Sequence, residues 1–353
     1  MSEVRLSASR IKTAQSCSWK YWANYKLKVP QTGNDGSKRG SVCHLIYELL
    51  GEKKHSENYN KIIKSGSING DGPVSRLVKI HAKKLSIDDD ENMELMDMMI
   101  TKGLFYDFFG GSKTSPTEAI SEQKFDIHVK EDGKDYKIYG FIDKLFLYSQ
   151  EKRAVIRDFK TSKQVFKGKE ITDNLQNLIY CLAVKKTFPE YKDIDVEFIF
   201  VKFSLDEDLL GVPGKGVLKM ERISEDELEG FEYQLTSIQE YLENFSEEDA
   251  KSNLAAKQNY PSDKTFGGPL MCGKQGYKKS KGEFVLDGQG NKIKSYICEH
   301  RNPLEYYVIL NDEGEIAASS FKKEELQKSH PDSEVVLKKY EGCPHFRSDA
   351  FEI

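Results

Sequence analysis

Asp143 in the run GFIDK, and Asp158 with Lys160 in RDFKT, bring two carboxylates and one ammonium close together along the chain. Both runs sit in stretches where apolar and polar residues alternate, the pattern of strands whose two faces meet different surroundings. On antiparallel neighbours the two carboxylates share one sheet edge, and Lys160, two residues past Asp158, points to the same face. Two hard carboxylate oxygens suit Mg²⁺ or Mn²⁺, and such an ion polarises a phosphodiester and lowers the pKa of its bound water. The lysine can orient that water and offset the negative charge that develops. An Asp-x-Lys triplet by itself more often marks a solvated strand face, so its meaning depends on the elements around it.

Those elements can be read from the pattern. EAISEQKFDIHV, DYKIYGFIDKLFLY and AVIRDFKTS form three consecutive strands joined by polar turns at EDGK and SQEK. Residues 172–187 have the spacing of an amphipathic helix, DVEFIFVKF of a buried strand, GVLKM of another, and 224–246 of a charged helix. Ahead of the strands, residues 7–25 predict a short helix and a turn, QTGNDGSKRG a loop, and SVCHLIYELL a buried helix carrying His44. Two more helices are expected over 74–86 and 91–109. The sum is an α/β fold, a central mixed sheet flanked by helices, over residues 1–258; residues 259–353, rich in hairpin turns, read as a cysteine-bearing C-terminal module docked on it.

The motifs add an ordered series. A serine-containing segment, LSASRIKTAQSC, ends at Cys17; Gly40 precedes His44 by four, Gly140 precedes Asp143 by three, then come Asp158 with Lys160, and Gln176 with Tyr180. In this order and spacing the chain resembles the RecB-like nucleases of the PD-(D/E)xK superfamily, a group that includes CRISPR-adaptation exonucleases and the nuclease domains of recombination helicases. The resemblance spans about residues 6–185. It implies a restriction-endonuclease-like fold, with His44, Asp143 and Asp158 as metal ligands helped by the Phe159 carbonyl, and Lys160 as the catalytic lysine. Gln176 and Tyr180, one helical turn apart, would contact DNA or brace the site.

Each residue has a plainer reading. His44 on an apolar helix could be a core histidine, and Gln176 and Tyr180 could merely cover a helix face. Glu122 could join the metal shell, but an exposed strand glutamate is the expectation. Lys163, Lys167 and Lys169 could be a solvated loop or phosphate contacts beside the site. Trp19, Tyr21 and Trp22 are expected in a core rather than as a base-stacking platform.

The six cysteines, in a chain read as intracellular, suit metal ligation or burial better than disulfides. Some RecB-like nucleases hold a [4Fe–4S] cluster with one cysteine before the histidine helix and three after the last motif; Cys17, Cys272, Cys298 and Cys343 match that division. Their wide spacing departs from the close-set trio of the family. Zn²⁺ is the rival, because His300 and His345 follow Cys298 and Cys343 by two residues. Cys43 and Cys181 are expected to be core thiols.

Composition narrows the classes. Hydrophobic residues at 38% and charged residues at 31% of 353 describe a globular chain, and a net charge of −4 argues against binding nucleic acid by bulk charge alone. No apolar run approaches the roughly 20 residues of a membrane span, and the opening MSEVRLSASR lacks a signal-peptide core. The expected setting is cytoplasmic, a host cytoplasm if the gene is phage-borne. The expected partner is DNA, single-stranded or with free ends, with any helicase or recombination protein a separate chain.

Overall fold

The strand pattern closes into a five-stranded sheet of order β1-β2-β3-β4-β5, with β1 Glu118–Glu131, β2 Lys134–Tyr148, β3 Arg153–Lys160, β4 Asp193–Phe200 and β5 Val217–Lys219. The structure is a computed structural model that describes residues 3–111, 114–205, 216–252, 273–274, 277–278, 282–286, 290, 292 and 296–344. β1 and β2 form a hairpin in register from Glu118↔Leu147 to Glu131↔Lys134, closed by Asp132 and Gly133. Both turn residues have positive φ (51° and 76°), which a two-residue hairpin of this twist requires and an Asp-Gly pair supplies. β2 and β3 are antiparallel, β3 and β4 parallel, β4 and β5 antiparallel. The sheet is mixed, as expected.

Described residues of Arg5–Ser7 and Gly33–Ser237 form one compact unit, which holds this sheet. Helices α3 Asp35–Gly51, α4 Ser56–Ser65, α5 Gly72–Lys84 and α6 Asp90–Phe105 precede the sheet in sequence. Their buried faces, including Ile46, Leu50, Val78, Met99 and Leu104, share one core with Phe159, Ile199 and Val201 from the sheet. Each such side chain contributes about 1.5–3 kcal/mol by leaving water. The parallel step from β3 to β4 needs a crossover, and α8 Leu175–Thr187 provides it against β1, β2 and β4. Asn174 starts α8 by accepting the N–H groups of Gln176 and Asn177.

One expectation at the N-terminal side is overturned. The stretch QTGNDGSKRG is not loop throughout, because α3 begins at Asp35 with the Asn34 side chain accepting the Ser37 N–H. Glycine-rich composition suggested loop, yet a capped helix with a buried face outweighs two weak helix formers. Helix α4, which the sequence reading did not single out, follows a short turn and ends at Gly66 in a left-handed conformation.

The second unit comprises the described residues of Met1–Val4, Ala8–Thr32 and Ile238–Ile353. It contains α1 Ala8–Ser16, α2 Ser18–Tyr21 and a three-stranded antiparallel sheet of Leu304–Leu310, Ile316–Ser320 and Val336–Tyr340. Its N-terminal aromatics are packing groups. Tyr21 is 1% exposed and meets Phe245 edge-on at 5.2 Å, while Trp19 is buried and donates its indole N–H to Tyr340.

Within the sheet, Arg157 is buried on β3 and donates from Nε and Nη2 to Glu197 on β4, at 3.1 and 3.0 Å, and to the Asp107 carbonyl at 2.6 Å. Removing Glu197 leaves the buried guanidinium with only the more distant Asp107 carboxylate, at 3.8 Å, as a charged partner. Glu197→Ala is therefore expected to cost about 3–5 kcal/mol, measured by urea unfolding. An unchanged midpoint would show that the pair does not hold β3 to β4.

Candidate active site

Phe159 turns into the helical core, so its neighbours Asp158 and Lys160 face the opposite side of the sheet, toward α8. There Asp158 is 2% exposed, and its two carboxylate oxygens meet different partners. Oδ2 accepts the Tyr180 hydroxyl and the Gln176 amide, each at 2.8 Å, and Oδ1 lies 2.6 Å from the Lys160 ammonium in an ion pair rather than a directed hydrogen bond. Lys160 in turn donates to Gln176 Oε1 at 2.8 Å. Gln176 and Tyr180 sit four apart on α8, one helical turn, and so reach the same carboxylate.

Asp143 lies where β2 and β3 part. The ladder between them ends at Lys144↔Arg157, and beyond it the Phe159 N–H donates to Asp143 Oδ2 at 2.8 Å. Its other oxygen is 3.2 Å from His44 Nδ1. His44 comes from α3, which approaches the end of β3 closely: a Cβ on Gly40 would lie 2.9 Å from the Thr161 hydroxyl. Glycine at that position lets the helix descend far enough to deliver His44 one turn later.

Glu122 completes the arrangement. The β1–β2 ladder pairs Ser121 with Lys144 and Gln123 with Ile142 but not Glu122 with Asp143, and Glu122 takes a left-handed φ of 49°. A non-glycine residue in that region stores about 1–3 kcal/mol of strain, which persists only where surroundings enforce it. His44, Glu122 and Asp143 each offer a ligand atom, all within 4.8 Å of one another. The expectation of an exposed strand glutamate fails, because the broken ladder leaves Glu122 half-buried beside Asp143. Asp158 stands outside this trio, held by Lys160 and α8. Two carboxylates and an imidazole on one point are a donor set that fits a divalent cation.

The electrostatics register this crowding. Burial opposes charge on His44, but Asp143, by charge and hydrogen bond, and Asp158 behind it raise the imidazole to about 9. Burial, then the Asp143 charge, raises Glu122 to about 7. Burial likewise lifts Asp158 above the usual carboxylate range, against the pull of Lys160. A site that holds protons against three carboxylates is one that a metal cation would relieve.

Of the predicted cysteines, Cys17, Cys298 and Cys343 fall in the second unit. Cys17 Sγ accepts the Lys20 N–H at 3.4 Å, and Cys298 Sγ accepts a backbone hydrogen bond from His300. Burial, against the Trp19 donor, pushes the Tyr340 phenol up, and the charges of the Cys343, Cys298 and Cys17 thiols add to the rise. His300 is 1% exposed, and among the described residues neither ring nitrogen has a hydrogen-bond partner. Cys272 and His345 lie outside the described residues. Cys43 and Cys181 are buried in the first unit, their thiols pushed up to about 12 by burial, as core positions should be.

The mixed sheet, its flanking helices and the Asp, Asp-x-Lys pair at a strand opening define a nuclease of the restriction-endonuclease-like fold. The family model of the PD-(D/E)XK nuclease superfamily matches residues 5–257, and the chain belongs to that superfamily. No curated protein matches. Among solved structures, SSO0001 is similar at 13% identity with a TM-score of 0.24, over 53% of this chain and 77% of that one. That similarity leaves the assignment resting on the sheet and the family match. Among the described residues, no helix is long and apolar enough to cross a membrane.

The raised pKa values fix a sign for stability. Glu122 and His44 bind protons more tightly folded than unfolded, so stability of the metal-free protein is greatest below about pH 4.5 for the first and below 6.5 for the second. It falls as pH rises through about 7 and about 9 respectively. Melting temperatures in chelator across that window should drop for the wild type and drop less for Glu122→Gln and His44→Asn. Parallel profiles for all three proteins would contradict the electrostatic reading.

Proposed function

We propose that this chain is a Mg²⁺- or Mn²⁺-dependent deoxyribonuclease of the RecB-like branch, acting as an exonuclease on single strands or free ends. The observation that carries the reading is the convergence of His44, Glu122 and Asp143 beside the Asp158–Lys160 pair. His44, Asp143 and Asp158 are the proposed metal ligands, and Glu122 joins them. A divalent ion held there would polarise the scissile phosphate and lower the pKa of its bound water. Lys160, released from part of its pairing with Asp158, positions the attacking water and balances charge on the phosphate. Tyr180 and Gln176 hold the Asp158 carboxylate in one orientation, so it needs no reorganisation when substrate enters.

The same reading assigns the chain to DNA processing in the cytoplasm, alongside a separate helicase or recombination protein. In the second unit it places a [4Fe–4S] cluster on Cys17, Cys272, Cys298 and Cys343. A second reading, Zn²⁺, is favoured by the buried His300 imidazole, which has no hydrogen-bond partner among the described residues. Visible absorption and metal analysis of anaerobically purified protein separate the two: sulfide-linked iron lost in Cys298→Ala supports the cluster, and one zinc per chain supports the alternative.

Cleavage of end-labelled single- and double-stranded DNA with Mg²⁺, Mn²⁺ or chelator tests the nuclease. Asp158→Ala and Lys160→Ala should each lower the metal-dependent rate by about 10²–10³-fold or more while leaving the fold intact. Retained activity in either variant would overturn the assigned roles. A circular single-stranded substrate should resist cutting if ends are required.

A further inference from the structure

Three backbone segments of the first unit meet at the C-terminal end of the parallel pair β3 and β4. The Val201 N–H donates to the Lys160 carbonyl at 3.1 Å, tying the residue before Lys202 to the residue before Thr161. From above, α3 comes down on Thr161 at Gly40. Each segment carries a cation within two residues of this junction: Arg39 beside Gly40, Lys163 after Thr161, and Lys202 after Val201.

Arg39 is 7% exposed; its Nη1 donates to Asn92 Oδ1, and its Nε has no acceptor among the described residues. Asp89 holds Asn92, so the carboxylate on that side reaches Arg39 through an amide. No ion pair engages Lys163 or Lys202 among the described residues. Lys202 lies in the field of the other two: burial, then the charges of Arg39 and Lys163, hold its ammonium below the usual lysine range. The buried Cys43 thiol, one turn along α3 from Arg39, also lies in the field of Lys202 and Arg39. Cations gathered in a partly dry corner repel, and an anion reverses that cost.

We propose that Arg39, Lys163 and Lys202 form a phosphate subsite, which holds a nucleic-acid phosphate next to the one cleaved beside Lys160. This rests on the nuclease reading and adds to it a grip on the strand that the metal-binding trio does not provide. Arg39, anchored by Asn92, offers a planar fork of fixed direction, whereas the two lysines act as point charges. Contacts of this kind position a strand without reading its sequence.

The test is binding of a short fluorescent single-stranded oligonucleotide in chelator, across a salt series, with a 5′-phosphate or a 5′-hydroxyl. The Lys163→Gln/Lys202→Gln protein should bind about tenfold more weakly, with a slope of log affinity against log salt shallower by about 1. The Lys163→Arg/Lys202→Arg protein should keep most of the wild-type slope. Equal losses on both oligonucleotides identify an internal phosphate, and a loss confined to the 5′-phosphate identifies a terminal one. A folded double variant with wild-type affinity and slope overturns the subsite alone. If Lys202→Gln fails to fold, Lys163→Gln by itself gives the same reading. A wild-type protein that neither binds nor cuts nucleic acid overturns the nuclease reading as well.

Discussion

The Asp143 carboxylate takes the place of a backbone acceptor where β2 and β3 separate, and the active-site arrangement depends on that substitution. One oxygen satisfies the Phe159 N–H, which the ladder no longer serves; the other faces His44. A strand opening inside a sheet would ordinarily leave polar groups unpaired at a cost of about 1–3 kcal/mol each. Here a side chain fills the gap, and the same side chain is thereby fixed beside His44. The opening and the site are one feature.

Around it the two faces of the sheet contribute different kinds of group. From the side of the helical layer α3 delivers His44, and from the other side α8 delivers Gln176 and Tyr180. Phe159 anchors β3 between these layers, so its flanking residues Asp158 and Lys160 cannot rotate away from α8 without unburying an aromatic ring. Glu122 enters from the neighbouring hairpin strand by way of a strained backbone. Negative charge is thus concentrated by elements that are each held elsewhere, by the hairpin, the core and the crossover helix. That separation of support from chemistry is what lets carboxylates stay close when their own repulsion would part them.

The second unit shows a different economy. Its buried polar chain runs from the Trp19 indole to the Tyr340 hydroxyl and on to the His300 carbonyl, each link 2.6 Å. Residues 8–32 group with the C-terminal segment although most of the chain separates them.

The sequence by itself determined the order of strands β1 to β4, the crossover helix, and the identity of Asp143, Asp158, Lys160, His44, Gln176 and Tyr180 as candidates. Alternation and helical periodicity are local consequences of burying one face, and a motif series is carried by spacing alone. The sequence did not reveal α3 beginning at Asp35, since a cap and a packed face had to outweigh glycine-rich composition. Glu122 was equally hidden. Its role depends on a ladder that breaks opposite Asp143, and pairing register across two strands follows from their packing, not from residue type at a single position. Tertiary structure also decided which contacts Asp158 makes, because Lys160, Gln176 and Tyr180 meet it only after β3 is pinned by Phe159 and α8 has crossed the sheet. Convergence of distant side chains on one point is set by how the layers pack, and no local pattern encodes it.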